Sequence, residues 1–264
     1  MLLCMLQTLK GIVKDRTIQG IMGVFLLFLL VPTVSTLSMR QATELSTTLS
    51  LSLVSFIMLL LAVFLGSTSI WRDIERRYTY SVLSLPLSRS SYLIGKFAGI
   101  AFFLFGCSVV LGGVSLAVIK VSSGVTAVGK PFVWWYLLLA VLYDALKYIL
   151  LVAVSMLFSS ISTSFFLPIF GTISTFLAGT VTQEVYDYLN TPSGLKSVSP
   201  FVRESATLLY YILPNFSGFD LKVHAIYSIT PDFRALVTVF FYFLAYTAML
   251  LGVAAFLFER REMK

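Results

Sequence analysis

Long apolar runs separated by short polar bridges dominate the chain. A window of about 20 apolar residues matches a hydrocarbon core of about 30 Å. Six such windows occur, at residues 18–38, 49–70, 97–119, 132–158, 165–181 and 235–258. The pattern predicts an all-α polytopic membrane protein with six transmembrane helices, read as a single transmembrane domain over residues 1–264. The fifth window is short and follows the fourth after the polar run Ser159, Ser160, Ile161, Ser162, Thr163 and Ser164, a turn between antiparallel helices. Pro168 falls in the first turns of that fifth helix, where a missing N–H costs little. Ahead of the first window, residues 1–16 place Gln7, Lys10 and Lys14 on a narrow polar stripe of an otherwise apolar segment. That is the pattern of an amphipathic helix lying along a membrane interface.

Between the fifth and sixth windows, residues 182–234 form the longest stretch outside the spans. Val181, Val185, Tyr188 and Leu189 repeat at helical spacing, as do Phe201, Ser205, Leu208, Leu209 and Ile212. Pro192, Gly194, Pro200, Pro214, Gly218 and Pro231 punctuate them. Short helices that cap the bundle or dip into the outer leaflet are expected there. The triplet Asn215-Phe216-Ser217 has the form of a glycosylation acceptor, a pattern that also arises by chance.

Composition sharpens the class. Of the residues, 58% are hydrophobic and 12% charged, against about 25% charged in soluble domains. With 23 Phe and 13 Tyr as well, too little polar surface remains to clothe a soluble body. The net charge of +7 does not point to nucleic acid, because the basic residues flank the spans. Lys10, Lys14 and Arg16, then Arg72, Arg76, Arg77, Arg89 and Lys96, then Arg260, Arg261 and Lys264 fall on one side. Arg40, Lys120, Lys130, Lys196, Arg203, Lys222 and Arg234 fall on the other, which is poorer in its short segments. The bias places both termini in the cytoplasm, and the expected location is a plasma membrane of bacterial or archaeal type. Cys4 and Cys107 offer neither a disulfide nor metal-ligand spacing.

Candidate chemistry is sparse. The run from Gly124 to Lys130 satisfies GxxxxGK, but Pro131 stands where a phosphate loop needs the Ser or Thr hydroxyl for magnesium. The segment also lacks a preceding buried strand and lies on the outer side, so no ATP site is expected in this chain. Asp144 and Lys147 are the ionisable residues deep within a span, three apart on one helix face and able to pair. Such a pair is either a polar patch on a substrate pathway or a neutralised structural contact. His224, the single histidine, has Asp220 nearby but no second nitrogen or sulfur ligand, and reads as a surface residue. HExxH and GxSxG are absent, so an intramembrane enzyme has no visible machinery. The spacings Gly95/Gly99 and Gly20/Gly23 read as close helix contacts.

The segment 71–96 carries the most specific signal. It reads WRDIERRYTYSVLSLPLSRSSYLIGK and joins the second and third spans on the cytoplasmic side. The acid Glu75, the apolar run ending in Leu85-Pro86-Leu87-Ser88-Arg89, and the pair Gly95-Lys96 give it an order that orientation alone does not require. This stretch resembles the permease subunits of ABC-2 type ABC transporters, whose loop typically reads Glu-x-x-Gly-Thr, an apolar run, Pro-(Val/Leu)-Ser-Arg and Gly-Lys. Glu75, Thr79, Pro86, Ser88, Arg89, Gly95 and Lys96 match, and Tyr78 departs from the usual glycine. Leu213-Pro214-Asn215-Phe216 and the ending Phe258-Glu259-Arg260-Arg261 are also similar to this class.

The resemblance implies a cytoplasmic coupling helix between spans two and three that docks an ABC-type ATPase. Ile74, Val82, Leu83 and Leu85 would seat in a groove and Arg72, Arg76 and Arg77 would line its rim, with Glu75, Thr79, Pro86, Ser88 and Arg89 completing the docking set. It also implies a second permease chain, identical or not, and no cofactor here, with ATP and Mg bound by the partner ATPase. The chain would then be a non-catalytic transport subunit. The aromatic content favours a lipid-like or peptide cargo, and a scaffold that couples an ATPase to an extracytoplasmic assembly without transport stands as the alternative.

Overall fold

The computed structural model of the chain describes residues 2–14, 19–20, 23, 26, 28, 30–36, 42–75, 88–123, 133–162, 164–191 and 198–260. Its helices are α1 (Leu2–Val13), α2 (Val31–Thr36), α3 (Ala42–Glu75), α4 (Arg89–Ser123), α5 (Trp134–Ile161), α6 (Phe166–Leu189), α7 (Pro200–Ile212), α8 (Lys222–Tyr227) and α9 (Phe233–Arg260). A 3-10 turn at Ser217–Phe219 precedes α8. No strand occurs among the described residues. Helices α3, α4, α5 and α9 are each long and apolar enough to cross a membrane.

Of the expected first span, 18–38, only residues 19–20, 23, 26, 28 and 30–36 are described, with Val31–Thr36 forming α2. Gly20 and Gly23, expected at a helix contact, have nothing within 4 Å of a Cβ built on them. The fifth window is present as α6, which is not among the four membrane-length apolar helices. Thr172, Thr175, Thr180 and Thr182 dilute its apolar surface, yet the helix absorbs their hydroxyls. Thr172 donates to the Pro168 carbonyl at 2.6 Å and Thr175 to that of Gly171 at 2.8 Å, the back-bonding that leaves no hydroxyl unpaired inside a helix. Helix α6 also continues to Leu189 instead of ending at 181, carrying on the apolar spacing of Val181, Val185 and Tyr188.

Helices α3 and α4 likewise outrun their windows, so residues 71–75 and 89–96 are helical stems and not loop. At about 1.5 Å per residue, the 34-residue α3 is about 51 Å long. The helix is therefore longer than a hydrocarbon core of about 30 Å requires. Between α5 and α6 the polar run forms a turn built on hydroxyls. Ser162 donates its Oγ–H to the Ser164 carbonyl at 2.6 Å and its Oγ accepts the Ser164 N–H at 3.0 Å.

Helix α5 is the centre of the bundle, with 83% of its most apolar stretch buried, against 11% for α9. It runs parallel to α3, and small residues let the two backbones close up. A Cβ on Gly66 would come within 2.6 Å of Ser155 Cβ. Ser67 and Ser155 share a hydrogen bond at 2.9 Å, and Ser159 donates to the Ser67 carbonyl at 3.1 Å. Hydroxyls and glycine at such contacts replace the hydrophobic driving force that lipid does not supply. Helix α1 lies against α4, where a Cβ on Gly99 would meet Thr8 Cβ at 3.0 Å and the Met5 carbonyl at 3.1 Å. Cys4 and Ile12 are buried in that contact, while Leu6 and Val13 remain exposed.

Candidate functional site

The polar side chains gather at three levels of the bundle. At the middle, Lys147 Nζ sits 2.6 Å from Asp144 Oδ1. Ser55 of α3 donates to Asp144 Oδ2 at 2.9 Å, and the Lys147 ammonium lies 4.8 Å from the centroid of the Tyr148 ring. Both charged side chains are nearly sealed, 5% and 8% exposed for Lys147 and Asp144. The pairing follows from the three-residue spacing on α5; the Ser55 contact is what fastens the pair to α3. Nothing in the sequence singles out Ser55 among the serines of that helix.

Toward the end of the bundle where α5 begins, the chain between α7 and α8 folds inward. The Phe216 N–H reaches the Gly179 carbonyl of α6 at 3.3 Å, an approach possible only because Gly179 has no side chain. A Cβ there would lie 2.3 Å from the Pro214 carbonyl oxygen and 2.8 Å from Phe216 Cδ2. Asn215 organises the turn: Oδ1 accepts the N–H groups of Ser217 and Gly218 at 3.1 and 3.3 Å, and Nδ2 donates to Gln183 Oε1 at 2.6 Å. The Asn215 N–H is taken by the Tyr242 hydroxyl at 2.9 Å, and the Tyr246 hydroxyl donates to the Ile212 carbonyl at 2.6 Å. Phe216 and Phe219 are fully buried beneath. Asn215 is thus a structural side chain held inside the fold, which leaves its glycosylation pattern without physical support. The turn and α8 pack on α5, closing the Asp144–Lys147 pair from that side. His224, on α8, is half-buried with Nδ1 enclosed and unpaired, not the surface residue expected. No group of three or more metal-ligating side chains forms among the described residues.

At the opposite end, where α3 ends and α4 begins, Lys96 forms an ion pair with Asp73 and donates to the Ser69 carbonyl. The Tyr92 hydroxyl donates to the same Asp73 carboxylate. Lys96 is buried and bridges the two helices. Ser90 donates to the Glu259 carboxylate and Arg89 Nη1 to the Glu259 carbonyl at 3.1 Å, joining α4 to the last turn of α9. The Tyr92 and Phe258 rings stack at 6.4 Å. Of the residues expected to dock a partner, Ser88 and Arg89 lie at the start of α4, with the Ser88 hydroxyl donating to Ser91 Oγ at 2.7 Å. Arg72 and Glu75 fall in the last turns of α3. Arg76, Arg77, Thr79, Leu85 and Pro86 lie outside the described residues, as does the 124–131 run.

Without strands among the described residues, and with four helices of membrane length whose polar groups are drawn into interhelical contacts, the chain has the make-up of an integral membrane protein. The sequence profile of the family described as ABC-2 family transporter protein matches residues 4–263. The chain therefore belongs to the ABC-2 transporter family. A comparison with curated proteins returned no match.

Proposed function

We propose that this chain is the transmembrane permease subunit of an ABC-2 type transporter, with ATP and Mg bound and hydrolysed by a separate ABC-type ATPase. The observation that carries the reading is the family match over nearly the whole length, 4–263, together with the membrane-length helices. The six-span layout follows if residues 18–38 and α6 cross the membrane alongside α3, α4, α5 and α9, with both termini cytoplasmic. The ATPase would dock on residues 71–96, using Arg72, Glu75, Arg76, Arg77, Thr79, Leu85, Pro86, Ser88 and Arg89. Two permease chains and two ATPases would make the working unit, in a plasma membrane of bacterial or archaeal type. The cargo would be lipid-like or a peptide. The Asp144–Lys147 pair is best read as a pin between α3 and α5, since both carboxylate oxygens and the ammonium are engaged within the protein; its role on a substrate pathway is the rival reading.

The test is co-purification with the ABC-type ATPase encoded beside the gene, followed by ATPase and cargo-flux assays in liposomes. Wild-type chain recruits the ATPase; charge reversal at Arg76 and Arg77 combined with Leu85→Asp abolishes recruitment. Failure of the wild type to recruit, or undiminished recruitment by the variant, defeats the docking proposal. A scaffold without transport is favoured by one feature, the sealed turn at Asn215 and Phe216. Recruitment and ATP hydrolysis without flux of lipid or peptide cargo would decide for it.

A further inference from the structure

Two polar clusters at opposite ends of the bundle share one helix. At the Asp73 end, the start of α4 is bound on both sides: Lys96 and Tyr92 hold Asp73 of α3, and Ser90 and Arg89 hold Glu259 of α9. At the other end, the Tyr242 hydroxyl of α9 accepts the Asn215 N–H and the Tyr246 hydroxyl donates to the Ile212 carbonyl. Between them α9 is an unbroken helix of 28 residues, about 42 Å long. It is also the least enclosed of the membrane-length helices, 11% buried in its most apolar stretch, against 83% for α5. It packs along α5, where the Tyr143 hydroxyl donates to the Leu236 carbonyl at 2.9 Å, and as one continuous helix it is a rigid element able to carry a movement between the two clusters.

We propose that Asp73, Tyr92, Lys96, Ser90 and Glu259 are positioning residues that yoke the stems of segment 71–96 to α9, so that a displacement at those stems is delivered by α9 to the Asn215 turn. The inference rests on the reading of the chain as an ATPase-driven permease. Its physical core is a contrast in attachment. Lys96 is enclosed and tied to both the Ser69 carbonyl and the Asp73 carboxylate, so α3 and α4 move together at this end. Glu259 is exposed but held through its carboxylate and its carbonyl, so α9 follows α4. At the far end Tyr242 holds the Asn215 N–H and Tyr246 the Ile212 carbonyl that ends α7, so a movement of α9 bears on the turn directly, beside the turn's own ties to Gly179 and Gln183 of α6.

The experiment uses the full chain with the partner ATPase in nanodiscs, on a background of Cys4→Ala and Cys107→Ser. A bimane is placed on Gly218→Cys, a position where a Cβ meets only Val239 Cγ2 at 3.7 Å, and its quenching by iodide is read without nucleotide and after trapping with ATP and vanadate. Trapping is expected to change the quenching in the parent protein. In Lys96→Met that change shrinks by about tenfold, and in Ser90→Ala with Glu259→Ala, which leaves the Arg89 bond to the Glu259 carbonyl in place, it shrinks by less, while ATPase recruitment and hydrolysis persist. The exchange Asp73→Lys with Lys96→Asp retains an opposite-charge pair and restores the change, which separates transmission from folding. An unaltered quenching change in the variants overturns the proposal, as does its absence in the parent. Parallel loss of recruitment and hydrolysis in the variants also overturns it, by making the cluster part of docking. A parent protein that recruits no ATPase sinks the permease reading and this inference together, which distinguishes that failure from the others.

Discussion

Replacing Lys147 by Met isolates what the central ion pair does. At 2.6 Å, the attraction is about 6 kcal/mol at an effective dielectric of about 20. The desolvation of two ions, several kcal/mol each, offsets most of it. The pair as a whole is therefore close to neutral for stability. Removing Lys147 alone withdraws the attraction and leaves Asp144 enclosed with only the Ser55 hydroxyl as a neutral partner. Breaking a buried pair by removing one partner costs about 3–5 kcal/mol, which is the penalty expected of the single variant. The double variant Asp144→Asn with Lys147→Met carries no buried charge and is expected to lie within about 1 kcal/mol of wild type. Equilibrium unfolding in mixed micelles reads both quantities. Equal losses in the single and double variants would refute the reasoning, since the damage would then not be an orphaned charge. A single variant with no loss at pH 7 would mean that water reaches Asp144. Flux in the double variant decides the rival role: a pin tolerates the neutral pair, a substrate-pathway charge does not.

Gly66→Ala should destabilise the protein by about 1–3 kcal/mol, because its Cβ would stand 2.6 Å from Ser155 Cβ and wedge α3 from α5. Adding Ser155→Gly should recover much of the loss in detergent thermal-shift assays, whereas failure to recover would place the strain elsewhere. Asn215→Ala removes the acceptor for the part-buried Ser217 N–H and the exposed Gly218 N–H and the donor to Gln183, a net loss of about 0.5–1.5 kcal/mol for each bond. Its expected signature is faster hydrogen exchange confined to the 213–219 turn and its contacts on α6 and α9; unchanged exchange there would show that the side chain does not hold the turn.

The membrane class was legible because apolar run length is a direct consequence of bilayer thickness, and four of the windows reappear as membrane-length helices. The same rule misjudged where those helices stop. A hydropathy window ends at the first cluster of charges, but a helix ends where its backbone loses its partners. Residues 71–75 and 89–96 are helical, and Asp73 and Lys96 neutralise each other across the two stems. That pair also shows why a charge count does not give a residue's role: Lys96 enters the count in either case, and only its approach to Asp73, 23 residues away in sequence, reveals the bridge. Asp144 and Lys147 were the opposite case, since a spacing of three residues fixes a contact on any helix. What sequence spacing could not supply was the third partner, Ser55, because its distance in the chain carries no periodic signal. The Asn215 turn lay between these extremes. Its Pro and Gly punctuation marked irregular backbone, but the residue that admits it is Gly179, on a different helix, where a glycine in a helical run gives no sign of what will approach it. Contacts within one helix can thus be read from periodicity, while those between helices were met here by small or hydroxyl-bearing residues whose pattern along the chain is indistinguishable from ordinary membrane-helix composition. The features that would convert a bundle into a moving device belong to that second kind, which is why the yoke at Lys96 and Glu259 emerges only when the helices are assembled.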